Sequence, residues 1–330
     1  MVNVTLFGDL DAVEQDARGA LDRANQLGLH DRLSWFRLLE RHCPPKGKLQ
    51  VVRAEQDGKR AWLFLAVDGR SADAYAAWYS LRFGLIGDNA LAPEIAGFLR
   101  DRRLSRVELA PVEDHDVIAS AFRGAGWSVA VEPAFGNWIT RTDKGFDEYW
   151  SRRPGQLRST ARRKAKAADL DIVIHEGFDP AAWADYESVY RSSWKPEEGS
   201  FPFLRALAEQ EGAAGTLRLG LAYHNGRPVA AQLWLVEGGI ATIHKLAYAD
   251  DAKAMSPGTV LGEAMFRRAI DKDGVTLIDY GTGDDAYKRD WMDERRQLWR
   301  IIARNPRTLR GLMGIVRQRV RALVRGKASR

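Results

Sequence analysis

Ser256, Pro257 and Gly258 stand where a strand-like run gives way to a helix-like run, a placement suited to gripping an anion. Ile240–Tyr248 is β-branched and aromatic with rough alternation, which predicts a strand. Val260, Leu261, Ala264, Met265 and Ile270 repeat near the helical period, which predicts a helix over 257–272. Serine is a good N-cap, proline fits the first turn, and glycine removes bulk where backbone N–H groups point outward. A helix start of this kind offers free donors and a positive dipole end to a phosphate. A plain, well-capped strand–turn–helix would use the same residues, so both readings stay open at this level.

Two other nucleotide sites fail on chemistry. Gly281-Thr282-Gly283-Asp284-Asp285-Ala286 fits the G-x-G-x-x-G/A pattern, but its two aspartates would repel a pyrophosphate. No acidic residue ends a following strand about 20 residues on, as a Rossmann site requires. G-x-x-x-x-G-K-[ST] is absent, as is G-x-S-x-G, and the six histidines lack metal-ligand spacing. Serine-nucleophile chemistry and a metal centre therefore have no sequence support.

Lys253-Ala-Met-Ser256-Pro-Gly258-Thr259, its helix, and the run Thr276-Leu-Ile-Asp279-Tyr-Gly-Thr-Gly-Asp-Asp-Ala-Tyr287-Lys288-Arg-Asp-Trp291 resemble the acyl-CoA-binding half of the GNAT acyltransferase superfamily. The S-P-G form and the D-x-G-x-G-x-x-x-Y-K run look closest to its branch of CelD-like proteins and Fem-type aminoacyl transferases. Where the superfamily loop reads [QR]-x-x-G-x-[GA], this chain has Lys253, Ser256 and Gly258. The resemblance covers most of the region from about 143 to 303. It implies acetyl-CoA or another acyl-CoA as donor, with no metal. The pyrophosphate would lie on Lys253, Ser256, Pro257, Gly258 and Thr259. The pantetheine would run beside the strand holding Lys245 and Leu246.

Acyl transfer from a thioester needs positioning, a base for the acceptor, an oxyanion donor and an acid for the leaving thiolate. Asp279 ends the strand after the helix, and Tyr287 and Lys288 follow on a short helix. These three, with His244, are the candidate catalytic residues. Tyr287 is placed to protonate a thiolate, and Lys288 to hold a phosphate or an acidic acceptor. Asp279 could instead brace a loop, Tyr287 be a half-buried helix aromatic, and His244 be structural. His244 and Lys245 are adjacent on a strand, which predicts opposite faces. Trp194 and Lys195 are candidates for lining the acceptor site, although tryptophans of this kind are more often core. Arg158, Arg162 and Lys166 share one face of a basic helix, which fits an anionic partner or a solvated linker equally.

The elements that must position these residues read twice over: helices, three strands, helix, strand, helix, strand. Asp57-Gly58 and Asn225-Gly226 are the hairpin turns of the two copies. The expectation is an α/β protein with mixed, mostly antiparallel sheets flanked by helices. The resemblance implies two tandem GNAT-like domains. Residues 1–142 form a degenerate copy, since Gly84–Pro93 lacks S-P-G. Residues 143–304 form the acyltransferase domain, with the basic helix 152–168 at its start. Strands are expected at Tyr75–Phe83 and Thr276–Asp279, and helices at Asp11–Leu27 and 284–293.

With 330 residues the chain exceeds one small core. The net charge of +6 hides segregation: 152–166 hold seven Lys/Arg and 305–330 hold eight, without an acid in either. Removing those fifteen cations leaves the remainder at −9. In the tail, Leu309, Leu312, Met313, Val316, Val320, Leu323 and Val324 form an apolar stripe among arginines. That basic amphipathic helix suits an anionic membrane surface, packing on the body, or a second subunit. A single cysteine, Cys43, and no signal-like start fit a cytoplasmic setting, peripheral at the inner face of the membrane if the tail binds there.

The expected function is an acyl-CoA-dependent N- or O-acyltransferase. A sugar-containing or peptidoglycan-type acceptor, in exopolysaccharide or envelope synthesis, is what the resemblance implies. The alternatives are a Fem-type aminoacyl-tRNA-dependent transferase, in which tRNA would be the one nucleic-acid partner, and a non-catalytic scaffold at the membrane.

Overall fold

The computed structural model describes residues 1–328, and for Arg319 and 321–328 the backbone helix alone. The chain divides into two units, Met1–Phe135 with Gln297–Arg330, and Gly136–Arg296.

The first unit opens with β1 (Asn3–Phe7), α1 (Leu10–Ala17), α2 (Leu33–His42), β2 (Lys48–Gln56), β3 (Lys59–Asp68) and β4 (Ser71–Ala74). It continues through the short β5 (Ile86–Gly87), α3 (Ala92–Asp101), β6 (Arg106–Val112) and α4 (Asp116–Gly124). Its sheet runs β1-β2-β3-β4-β6, antiparallel except where β4 meets β6.

β7 (Ser128–Arg141) carries the chain on, and its residues from 136 belong to the second unit. Then come α5 (Phe146–Ser151), α6 (Gly155–Ala167), β8 (Asp171–His175), α7 (Pro180–Arg191), α8 (Phe201–Ala213) and β9 (Leu217–His224). β10 (Arg227–Glu237), β11 (Ile240–Tyr248), α9 (Pro257–Arg267, extended by a π-turn over 268–272), β12 (Leu277–Thr282) and α10 (Lys288–Trp291) complete it. The sheet order is β8-β9-β10-β11-β12-β7, again antiparallel except for one parallel pair, β11 with β12. β13 (Glu294–Arg304) and α11 (Leu309–Ala328) end the chain.

The duplicated plan is thus present, with one change. β12 pairs with residues 137–141 and β6 with residues 299–304. The last strand of each unit comes from the other half of the sequence. A break near 142 follows sequence order, whereas strand partnership is set by tertiary register, so everything from 297 joins the first unit.

Local chemistry explains the smaller departures. Asp57-Gly58 and Asn225-Gly226 turn the hairpins with positive φ at both residues, as expected. The helix from residue 11 stops at Ala17 because Arg18 and Gly19 turn left-handed. After β4 the aromatic run 75–83 is a loop that buries Tyr75, Tyr79 and Phe83 without strand pairing. α5 and β8 went unanticipated.

α9 owes its position to an aromatic cluster. The Phe266 ring stacks on Tyr149 (5.1 Å) and Trp291 (5.0 Å) and meets Trp234 edge-on (5.1 Å). The Tyr149 hydroxyl donates to the Trp291 carbonyl at 2.9 Å. Each such ring pair contributes about 0.5–1.5 kcal/mol beyond burial, so helices α5, α9 and α10 are locked on β10.

Candidate functional site

The two parallel strands of the second unit part company early. Ile240, Ala241 and Thr242 pair with Leu277, Ile278 and Asp279. Beyond these no pairing joins the strands among the described residues, although β11 runs on to Tyr248 and β12 to Thr282. The far end of β11 is therefore parted from β12, next to the start of α9, where Gly258 lies against Tyr248.

That start is built differently from a simple cap. Ser256 is left-handed (φ 53°) and its side chain makes no capping bond. Its carbonyl instead accepts from Thr259 N (3.0 Å) and Val260 N (3.2 Å). Buried Gln232 of β10 donates to the Gly258 carbonyl (3.3 Å) and accepts from the Trp234 indole (2.9 Å), fixing the first turn to the sheet. A Cβ on Gly258 would meet the Tyr248 ring at 3.2 Å, tighter than ordinary contact.

The basic helix α6 packs beside α9 through fully buried Ala161, and Lys164 donates to the Ala254 carbonyl (2.6 Å) just before the turn. Arg158, Arg162, Arg163 and Lys166 remain exposed. Arg152 and Arg153 do not belong to the helix; both pair with Asp293. Lys253 is exposed at the loop.

Two of the expected catalytic residues, Asp279 and Lys288, brace the β12 turn, and a third, His244, is buried. Asp279 accepts from Asn137 (2.6 Å), Gly281 N (2.8 Å) and Arg296 (2.8 Å), so both oxygens are committed to holding the β12 turn. Lys288 is buried, and its ammonium donates to the carbonyls of Thr282 (2.9 Å), Tyr280 (3.3 Å) and Gly283 (3.4 Å). Burial lowers its pKa, against the pull of Asp285. It positions the loop rather than binding phosphate. His244 is buried, and desolvation with neighbouring Lys245 lowers its pKa to about 3. An imidazole held neutral in that way is a weak base near neutral pH.

His244 and Lys245 also stand where the regular alternation of the strand is interrupted. The β10–β11 register slips where Leu233 faces Lys245 and Trp234 faces Ile243, leaving His244 as the extra residue of a β-bulge. Both side chains feel Glu198. Lys245 forms an ion pair with it at 3.0 Å, which engages its ammonium.

Tyr287 stands at the N-cap of α10, one residue before the helix on which it was expected. It is 38% exposed, and its hydroxyl is hydrogen-bonded to that of buried Tyr280, the rings 5.9 Å apart. Burial and Asp285 raise its pKa, so it stays a protonated donor.

Lys195 is the other polar group the fold delivers. Segment 192–198 is tied to the end of β11 by a Ser193–Ala249 bridge and by Asp250 N donating to Ser192 O (3.0 Å). Burial first, then the nearby Lys245 and Lys288, lower the Lys195 pKa to about 8, with Asp285 and Glu198 opposing. The flanking Trp194 ring is 54% exposed, 5.9 Å from the ammonium, so it is not core.

Glu198, with a side chain 1% exposed, was missed by sequence reasoning, as were Tyr280 and Tyr248. Nothing in Lys195-Pro-Glu-Glu-Gly-Ser marks its second glutamate as the buried one. Tyr280 does sit in the quoted run, beside Asp279, and was passed over.

If Tyr287 is the acid for the leaving thiolate, Tyr287→Phe is expected to lower kcat about a hundredfold with the donor KM unchanged. Steady-state kinetics check it; an unchanged kcat removes Tyr287 from the chemistry.

Residues 151–289 match the acetyltransferase (GNAT) domain family. No curated protein matches the chain. Among solved structures, the C-terminal domain of a putative lysylphosphatidylglycerol synthetase from Agrobacterium fabrum is 14% identical, with a TM-score of 0.59, covering 89% of this chain and 92% of its own. FemX is 10% identical at a TM-score of 0.59, covering 82% and 90%. A tandem GNAT protein from the clavulanic acid biosynthesis pathway is 14% identical at a TM-score of 0.50, covering 91% and 98%. At these identities the likeness is one of fold.

Proposed function

We propose, because residues 151–289 match the acetyltransferase (GNAT) domain family, that the protein is an acyl-CoA-dependent N- or O-acyltransferase. The parting of β11 from β12 beside the Gly258 turn carries this reading. The end of β11 that has parted from β12 suits the two amides of a pantetheine arm, and the turn with the neighbouring cations of α6 suits its phosphates. Acetyl is the simplest acyl group.

In the transfer, neutral Lys195 Nζ takes the proton from the acceptor amine or hydroxyl as it bonds to the thioester carbon. The C–S bond breaks, and the Tyr287 hydroxyl gives its proton to the departing sulfur. Lys288 and Asp279 hold the β12 turn that carries the tyrosine. Exposed Trp194 beside the base offers a flat apolar face, consistent with the sugar-containing acceptor that the resemblance implies.

Calorimetric titration of acetyl-CoA tests the donor site. The parent protein should bind, and Gly258→Glu should bind at least about tenfold more weakly, since it sets bulk and negative charge at the turn. Circular dichroism confirms that the variant folds. No binding by the parent overturns the donor assignment. The exposed cations of α6 favour an aminoacyl-tRNA donor as the second reading, and salt-sensitive tRNA binding would then support it.

A further inference from the structure

Helix α11 has two faces of different fate. On one, Gly311, Gly314, Ile315 and Gln318 anchor it to the first unit. A Cβ on Gly311 would lie 2.0 Å from the Asn305 carbonyl oxygen, so helix and preceding turn touch there. Ile315 is buried, and Arg304 donates to Gln318 at 2.5 Å. Thr308 caps the start by accepting from Gly311 N (3.1 Å), and buried Asn305 donates to the carbonyls of Arg100 (3.1 Å) and Leu104 (3.0 Å).

The apolar stripe lies on the other face. Leu309, Leu312, Met313, Val316 and Val320 repeat at three and four residues, offset from the anchor, and all are exposed, Leu309 at 82% and the rest near half. The stripe's last members, Leu323 and Val324, and the end of the tail at Ser329 and Arg330 fall outside the described side chains. Packing on its own body is thus excluded for the described part of the stripe, and an aligned set of five exposed apolar side chains calls for a partner.

We propose that α11 docks the protein on an anionic lipid surface, stripe inward. Arg307, Arg310 and Arg317 are exposed around the stripe, and residues 305–330 hold eight Lys/Arg without an acid. A second copy using the same patch would set these cations against each other, because a two-fold contact pairs a surface with itself. Lipid phosphates complement them instead. No helix among the described residues is long and apolar enough to cross a membrane, so α11, of 20 residues, lies in the interface plane.

Co-sedimentation of the full chain with vesicles decides this. Binding is expected to phosphatidylcholine vesicles containing phosphatidylglycerol, and not to phosphatidylcholine alone. The double variant Leu312→Asp, Val316→Asp should bind about tenfold more weakly or worse. Its thermal melt should match the parent's, since both positions are exposed. Absence of binding to the anionic vesicles overturns the proposal, as does equal binding by the double variant. A parent dimer in light scattering that the double variant abolishes, without vesicle binding, would assign the stripe to a second copy.

Discussion

Lys195→Met should lower turnover by about 10²–10⁴-fold while leaving acyl-CoA affinity unchanged, because it removes the proposed base and leaves the proposed donor contacts in place. With a pKa of about 8, roughly a tenth of Lys195 is neutral at pH 7, against well under 0.1% for an ordinary lysine. The neutral amine is the active form, so kcat/KM of the parent should climb with pH and level off above an inflection near 8. Lys195→Arg, which cannot release its proton in this range, should be as inactive as the methionine variant.

Stability gives an independent reading of the same group. A lysine whose folded pKa lies below its unfolded value is most favourable to the fold at high pH. That contribution is lost as pH falls from 10.5 to about 8 and is then constant. At pH 7 the methionine variant should therefore be no less stable than the parent, although nearly inactive. Retained turnover, or a pH profile without the inflection, would remove Lys195 from the mechanism.

Glu198→Ala should destabilise the second unit by about 3–5 kcal/mol, the cost of stranding a buried charge. Glu198 and Lys245 are 1% and 12% exposed at their side chains and 3.0 Å apart. Without the carboxylate, the Lys245 ammonium would lose its 3.0 Å ion pair while Lys195 stays near it. Adding Lys245→Met should restore most of the loss, since replacing both partners removes the stranded charge. Chemical denaturation of the four species measures the coupling directly. A single variant within about 0.5 kcal/mol of the parent would show that the pair is not a buried brace.

Much of this site was legible as a list of residues. Ser256-Pro257-Gly258 does begin a helix after a strand, and Tyr287 does precede a short helix, partly exposed. The two hairpin turns were readable because Asp-Gly and Asn-Gly adopt positive φ at little cost wherever they stand. The roles were less legible. Asp279, Lys288 and His244 are the residue types acyl transfer needs, yet the fold spends the first two on backbone turns and buries the third. A motif records which residues recur, and bracing residues recur as faithfully as reacting ones.

The sequence by itself determined the duplicated order of elements, the glycine-bearing helix start, and the segregation of cations into residues 152–166 and the tail. These are local properties, set by turn chemistry, periodicity and charge along the chain. Tertiary structure alone decided the exchange of last strands, the burial of Glu198, the lowered pKa of Lys195 and the exposure of the α11 stripe. Each depends on what long-range packing brings near, or leaves in water. One β-bulge at His244 shifts the register of β11 against β10, and a period of two residues cannot announce where it will slip.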